Sequence, residues 1–251
     1  MNLFTLIFLF SSLSVFADSD LNNKIIIGTD TRNRVSNSSP NPAHKSIGLL
    51  LINFKNDGAV CTGTLISRRH VVTAAHCLIN SNNEFAEEVF FLPGFNQALP
   101  EDSLPDNYFY STKVRVLKSY LTSKIYRNDL GLITFSEDLP QPFLSLGIMP
   151  PDSTEITIAG YPTDKPQGTL WEATGKRDAT FFTGELLDTH FVDTNPGVSG
   201  AAIRTNFFGV DVIVGIHSGA KYRSVGREAN VAYFFTSSSL KTLNAWMKED
   251  F

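Results

Sequence analysis

The chain is poor in charge, in cysteine and in long hydrophobic runs. Charged residues fill only 18% of its 251 positions, and the formal net charge is −4. No basic block or Lys/Arg stripe occurs, so nucleic acid is not expected as a partner. Cysteine appears twice, at Cys61 and Cys77, and there is no CxxC, no HExxH and no histidine cluster. Neither a metal site nor another cofactor is therefore expected. Apart from one apolar run at residues 2–10, no segment approaches the length needed to cross a bilayer, and no stable membrane association is expected. Helical periodicity is scarce until the last stretch of the chain.

What is present begins with that apolar run. Asn2 to Phe10 is followed by Ser11 to Ala17, ending Val15-Phe16-Ala17, with small residues where a secretory cleavage site needs them. No Lys or Arg precedes the run, a departure from the usual leader. The run is short for an anchor, so residues 1–17 are expected to be a removed signal peptide. Residues 18–24 are expected to be a short propeptide, and the chain is expected to be secreted as a monomer. In an exported chain the even cysteine pair is expected to be oxidised, which would fasten His76 to a neighbouring strand.

From position 46 onward, short apolar or alternating runs are separated by Gly, Pro and Asn. About twelve strands are predicted: Ser46–Phe54, Cys61–Ile66, Val71–Ala75, Glu88–Leu92, Tyr110–Leu117, Leu130–Phe135, Glu155–Ala159, Thr169–Thr174, His190–Val192, Ala201–Arg204, Val210–Ile216 and Val231–Phe235. Strands without intervening helices point to an all-β fold of barrels or sandwiches. Near the end, Leu240, Leu243, Trp246 and Met247 recur on one helical face, with Ser237, Ser238 or Ser239 as the cap. Pro140-Gln141-Pro142 and Pro150-Pro151 mark a linker. The expected division is residues 25–140 for one barrel and 141–251 for a second barrel plus the helix.

Three stretches carry chemistry. In Asp193-Thr194-Asn195-Pro196-Gly197-Val198-Ser199-Gly200, two glycines bracket a serine. A serine hydroxyl is a poor nucleophile unless a base lies beside it and N–H donors await the oxyanion. Glycines that tolerate positive φ allow the N–H groups of Gly197 and Ser199 to converge on one spot. Thr73-Ala74-Ala75-His76-Cys77 offers the base. Asn128-Asp129-Leu130-Gly131 offers a carboxylate to orient it. With the linker where the prolines put it, His76 and Asp129 fall in the first barrel and Ser199 in the second. The site is then expected in the cleft between them.

With these motifs in hand, the chain resembles the chymotrypsin-like serine peptidases, and within them the staphylococcal and bacillary glutamyl endopeptidase branch. The resemblance rests on Cys61-Thr62-Gly63 through His76-Cys77, on Ile26-Ile27-Gly28-Thr29-Asp30 with Arg34-Val35, and on Ile158-Ala159-Gly160-Tyr161-Pro162 with Gly168-Thr169-Leu170-Trp171. Gly215-Ile216-His217 adds to it. It implies two six-stranded antiparallel β-barrels and an acyl-enzyme mechanism. His76 would be the general base, Asp129 its orienting partner, Ser199 the nucleophile, and Gly197 and Ser199 the oxyanion donors. Protein or peptide substrates would be cut after Glu, and after Asp more slowly. His217 and Thr194 would receive the acidic side chain, and a mature amino terminus at Ile25 would add positive charge beside it.

Departures accompany the resemblance. Pro196 stands where the branch usually has Gly, and Ala201-Ala202 follows where Ser-Pro or Gly-Pro is usual. These open the alternative of an inactive binding homologue. Val198 replaces the Asp that trypsin-type enzymes pair with a new amino terminus. Asp193 lies six residues before Ser199, where trypsin holds the carboxylate that binds Arg or Lys. If Asp193 faced the pocket, cleavage after basic residues would follow. Ser218 either supports Asp129 or is a solvated turn serine. His44, His70 and His190 are expected to be structural.

Overall fold

The computed structural model describes residues 26–100, 105–150, 155–178, 181–182, 185–186, 189–224 and 227–249. The expected signal peptide, propeptide and Ile25 start lie outside them. Strands β1 (Asn33–Arg34), β2 (Ile47–Phe54), β3 (Asp57–Leu65), β4 (His70–Thr73), β5 (Glu88–Pro93), β6 (Phe109–Ser111), β7 (Lys113–Val116) and β8 (Gly131–Thr134) make up the first half. The second half holds β9 (Ser145–Leu146), β10 (Glu155–Gly160), β11 (Trp171–Lys176), β12 (Phe181–Phe182), β13 (Glu185–Leu186), β14 (Thr189–His190), β15 (Ala202–Phe207), β16 (Val210–Ser224) and β17 (Arg227–Phe234).

Apart from β12 and β13, which pair only with each other, these strands form two antiparallel, barrel-like sheets. One runs β6-β5-β2-β3-β4-β8-β7, and the other β1-β11-β10-β15-β16-β17-β14, with β9 pairing parallel to β16. The sheets thus hold seven and eight strands where six apiece were expected. Two causes are visible. The predicted run Tyr110–Leu117 is two strands, broken where Ser111 turns its hydroxyl to the Thr134 carbonyl at 2.6 Å. Asn33–Arg34, early in the chain, pairs with Trp171 and Glu172 of the second sheet. The N-terminal segment therefore crosses over, and the first sheet starts at Ile47.

The run Ile47-Gly48-Leu49-Leu50-Leu51-Ile52 is apolar without alternation because β2 is buried on both faces. Leu50 and Ile52 enter the core of the first sheet. Ile47, Leu49 and Leu51 join Ala159, Tyr161 and Leu170 in a cluster that glues the two sheets together. Each leucine or isoleucine so buried contributes about 1.5–3 kcal/mol. A separate core within the second sheet contains Ile156, Ile158, Val198, Ile203 and Val214.

Two single-turn helices, α1 (Ala43–Ser46) and α2 (Lys118–Thr122), precede the C-terminal α3 (Ser237–Glu249). The cap of α3 is Thr236, not one of the three serines: its Oγ1 accepts from the Ser239 N–H at 3.2 Å, while Ser239 Oγ accepts from the Thr236 N–H at 2.7 Å. This reciprocal box uses Ser at the position where Glu or Gln is commoner. Leu243 is fully buried in the first core, with Leu240, Trp246 and Met247 packed against it. That is the face the periodicity predicted.

Candidate active site

Strand pairing brings the first two site residues together. Thr73 on β4 pairs with Gly131 on β8. The chain leaves β4 into a 3-10 turn, Ala75–Cys77, that carries His76, and Asp129 lies just ahead of β8. Asp129 is buried and holds His76 twice. Its Oδ1 accepts the His76 backbone N–H at 2.9 Å, and its Oδ2 lies 2.7 Å from Nδ1. The carboxylate requires the proton on Nδ1, which leaves Nε2 with an open lone pair. Burial pulls the imidazole pKa down, but the charge and hydrogen bond of Asp129 outweigh it, so His76 lies above the ordinary histidine value.

The serine turn is pinned to the same region through Thr62. Thr62 is fully buried, donates Oγ1 to Gly197 O at 2.8 Å, and gives its N–H to Ser199 O at 2.8 Å. Its own carbonyl accepts from Thr73 Oγ1 at 2.8 Å. The disulfide Cys61–Cys77 closes the same junction, joining the residue before Thr62 to the residue after His76. At Gly200, φ is +81°, and a Cβ would lie 2.0 Å from Thr73 Oγ1 and 2.5 Å from Thr62 O. At Gly197, φ is +92°, and a Cβ would lie 2.2 Å from Tyr161 O. Both positions accept only glycine, so the turn can press against β3 and β4.

The N–H groups of Gly197 and Ser199 form no hydrogen bond among the described residues, whereas Val198 and Gly200 donate to Asn195 O and His217 O. Pro196 has no N–H, but its carbonyl accepts from Thr163 N–H at 2.8 Å. No hydrogen bond joins Ser199 Oγ to His76 among the described residues.

His217 is tethered to the turn by its own backbone, which donates to Ala201 O at 2.9 Å and accepts from Gly200 N–H at 2.9 Å. Its ring is buried and meets a second buried ring, with His190 Nε2 at 3.1 Å from His217 Nδ1. The Val192 N–H donates to His190 Nδ1 at 3.2 Å. That fixes His190 as the Nε2–H tautomer and His217 Nδ1 as an acceptor, so the N–H of His217 sits on Nε2. Burial holds His190 down to about 3, and it holds His217 well below its ordinary value, with the neighbouring His190 adding to the effect. Among the described residues, Thr194 Oγ1 and Ser218 Oγ are buried and form no hydrogen bond.

Two residues carry alternative readings in the sequence. Ser218 does not support Asp129, whose two oxygens face His76. Asp193 does not present a free carboxylate. Its Oδ1 accepts the Ile27 N–H at 2.8 Å, and its Oδ2 accepts the Thr31 N–H at 2.8 Å and the Thr31 hydroxyl at 2.6 Å. Cys61, His76 and Cys77 are the one group within ligating distance of each other among the described residues, and the two sulfurs are bonded to one another. His44 binds Ser39 and Glu172, and His70 binds Ser67. The contributions of Thr62, His190, Ile27 and Thr31 are absent from the sequence reading. Nothing in local spacing joins residues so far apart.

Two barrel-like sheets, a His–Asp pair on one and a glycine-bracketed serine on the other, define a chymotrypsin-like serine peptidase fold. The trypsin family model matches residues 39–246, and the chain belongs to the trypsin family. Among curated proteins it is 29% identical over 214 residues to a glutamyl endopeptidase of Bacillus licheniformis, a match covering 79% of this chain and 64% of that protein. A glutamyl endopeptidase of Staphylococcus aureus is 27% identical, over 70% of this chain and 48% of that one. An extracellular metalloprotease of Bacillus subtilis is 26% identical, over 89% of this chain and 70% of that one. The chain thus spans about half to two thirds of the length of these relatives. Among solved structures, a Glu endopeptidase in complex with MPD superposes with a TM-score of 0.69 at 24% identity, covering 88% of this chain and 98% of that one. A thermostable serine protease, AL20, gives a TM-score of 0.65 at 15% identity, covering 82% of this chain and 98% of that one.

Proposed function

We propose that the protein is a secreted serine endopeptidase that cuts after Glu, and after Asp more slowly. Ser199 is the nucleophile. His76 Nε2 takes its proton as the acyl-enzyme forms and returns it to the leaving amine, and Asp129 holds the ring in the tautomer this requires. The unengaged N–H groups of Gly197 and Ser199 receive the oxyanion. Pro196 costs the turn one N–H, but not one of these two, so the inactive-homologue alternative loses its main support.

One contrast carries the specificity. Asp193, the carboxylate that would select Arg or Lys, is already saturated by Ile27 and Thr31. His217 offers an Nε2–H, its tautomer fixed by His190, and Thr194 and Ser218 carry buried hydroxyls that form no hydrogen bond among the described residues. A carboxylate is acceptor-only and can take both the His217 N–H and a hydroxyl proton, whereas an ammonium or guanidinium group can donate to a hydroxyl oxygen but offers nothing to the His217 N–H. The test is a cleavage-site profile on a random peptide library, alongside Ser199→Ala. Ser199→Ala is expected to lower kcat by about 10⁴–10⁶. Cleavage mainly after Arg and Lys refutes the Glu assignment, and full activity of Ser199→Ala refutes the serine mechanism.

A further inference from the structure

Asp193 is a buried carboxylate, 5% exposed, at the root of the serine turn. Among the described residues it forms no ion pair; its charge is met by three donors from one short stretch of the same chain, the Ile27 N–H, the Thr31 N–H and the Thr31 hydroxyl. That stretch is fixed independently a residue later. Arg32 is buried and its guanidinium forks onto both Asp30 and Asp164. Asp164 follows Thr163, whose N–H holds the Pro196 carbonyl, and Tyr161, whose carbonyl packs against Gly197. Arg34 and Val35 then continue onto Trp171 and Leu170. The segment thus grips the serine turn directly through Asp193 and indirectly through the 160–164 loop.

We propose that Asp193 is a positioning residue whose partner is the chain's own segment Ile27–Arg32, and that docking of this strap holds Gly197 and Ser199 in working order. The physical reason is charge. A buried carboxylate without a cation is tolerated only while hydrogen-bond donors surround it. Releasing the strap leaves Asp193 unsatisfied beside the turn, so the turn must open to water to solvate it. Docked, the strap closes that route. In this chain Val198 occupies the place of the aspartate that trypsin-type enzymes use to order the same turn, and Asp193, five residues earlier, performs the ordering with backbone amides as its ligands. The proposal rests on membership of the trypsin family and not on the Glu assignment.

The test compares the parent with Asp193→Asn, Thr31→Val and Thr31→Ser. Asn offers one acceptor oxygen and no charge, Val deletes only the hydroxyl, and Ser restores it. Three readouts are taken: the rate at which a fluorophosphonate labels Ser199, the ratio of kcat/KM for matched Glu and Arg substrates, and hydrogen-exchange protection of the Ile27 and Thr31 amides. Asp193→Asn is expected to slow labelling about 10- to 100-fold, the worth of a hydrogen bond to a charged group. It is also expected to lower protection of the two amides, most at the one left facing the Asn side-chain NH2, and to leave the Glu/Arg ratio unchanged. Thr31→Val moves the same way by a smaller factor, and Thr31→Ser returns to the parent's rate. Should Asp193→Asn fail to fold, the Thr31 pair carries the test. Labelling and protection at the parent's level in Thr31→Val overturn the proposal, as does an Asp193→Asn enzyme whose Glu/Arg ratio shifts tenfold while its labelling rate does not. A parent that prefers Arg, with the strap effects intact, removes the Glu assignment and leaves the strap standing.

Discussion

Folding stability should fall as the pH drops from 8 to 5, and His190 supplies a measurable part of the fall. His190 is fully buried against His217, and its pKa is held down to about 3. In the unfolded chain it returns to about 6.5. Between those values the unfolded state binds the extra proton, so stability is present above pH 6.5 and is lost as pH falls toward 3. At pH 5 the unfolded His190 is almost wholly protonated and the folded one almost wholly neutral. The loss is then about 1.5 pH units of linkage, roughly 2 kcal/mol. It depends little on the folded value so long as that value lies well below 5. His217, held down by the same burial, adds in the same direction. Asp138, Asp164 and Glu172 lie below their ordinary values, and their loss comes lower, below about pH 4. His76 is raised and has the opposite sign, gaining stability as pH falls through its folded pKa. A difference measurement cancels these shared contributions. Urea unfolding of Ser199→Ala, which cannot digest itself, is compared with Ser199→Ala/His190→Gln at pH 8 and pH 5. Gln keeps a donor for His217 Nδ1 and does not titrate. The double variant is expected to lose about 2 kcal/mol less than the parent over this range. Parallel losses in the two proteins would refute the buried neutral pair.

The remaining expectations concern the turn, the disulfide and the base. Thr62→Val keeps the shape and removes the donor to Gly197 O, and it should destabilise by about 1–3 kcal/mol in urea unfolding and slow phosphonate labelling of Ser199. Gly200→Ala should yield no active enzyme, because it combines a φ of +81° with a Cβ 2.0 Å from Thr73 Oγ1; normal labelling of that variant would show the turn to be more compliant than described. Replacing Cys61 and Cys77 with Ala should cost about 3 kcal/mol for a loop with a sequence separation of 16, and the parent should release no thiol on unfolding. The rising limb of kcat/KM against pH should have its midpoint above 6.5, since His76 must be neutral to act and Asp129 raises it; a midpoint below 6.5 would mean that desolvation wins.

Much of this protein was legible in the order of its residues, because the features concerned are local. Gly197-Val198-Ser199-Gly200 announces a turn with positive φ on both sides of a serine, since only glycine adopts that backbone without strain. Strand runs such as Val71–Ala75 and Leu130–Phe135 carry their own burial pattern, and Leu240, Leu243, Trp246 and Met247 repeat at the helical period. The Cys61–Cys77 pair could be named because no other cysteine competes. Tertiary structure alone decided what depends on two distant segments meeting. Whether Asp193 faces a substrate or a strap turns on donors more than 160 positions away, Ile27 and Thr31, and an aspartate looks the same in either setting. His190 reads as a spare histidine until β14 and β16, both paired with β17, bring its ring against His217 and fix which nitrogen carries the proton. Thr62 is one threonine among many until its amide and hydroxyl grip the serine turn across the two sheets. A hydrogen bond is set by position and angle, and a sequence specifies those only once the chain has folded.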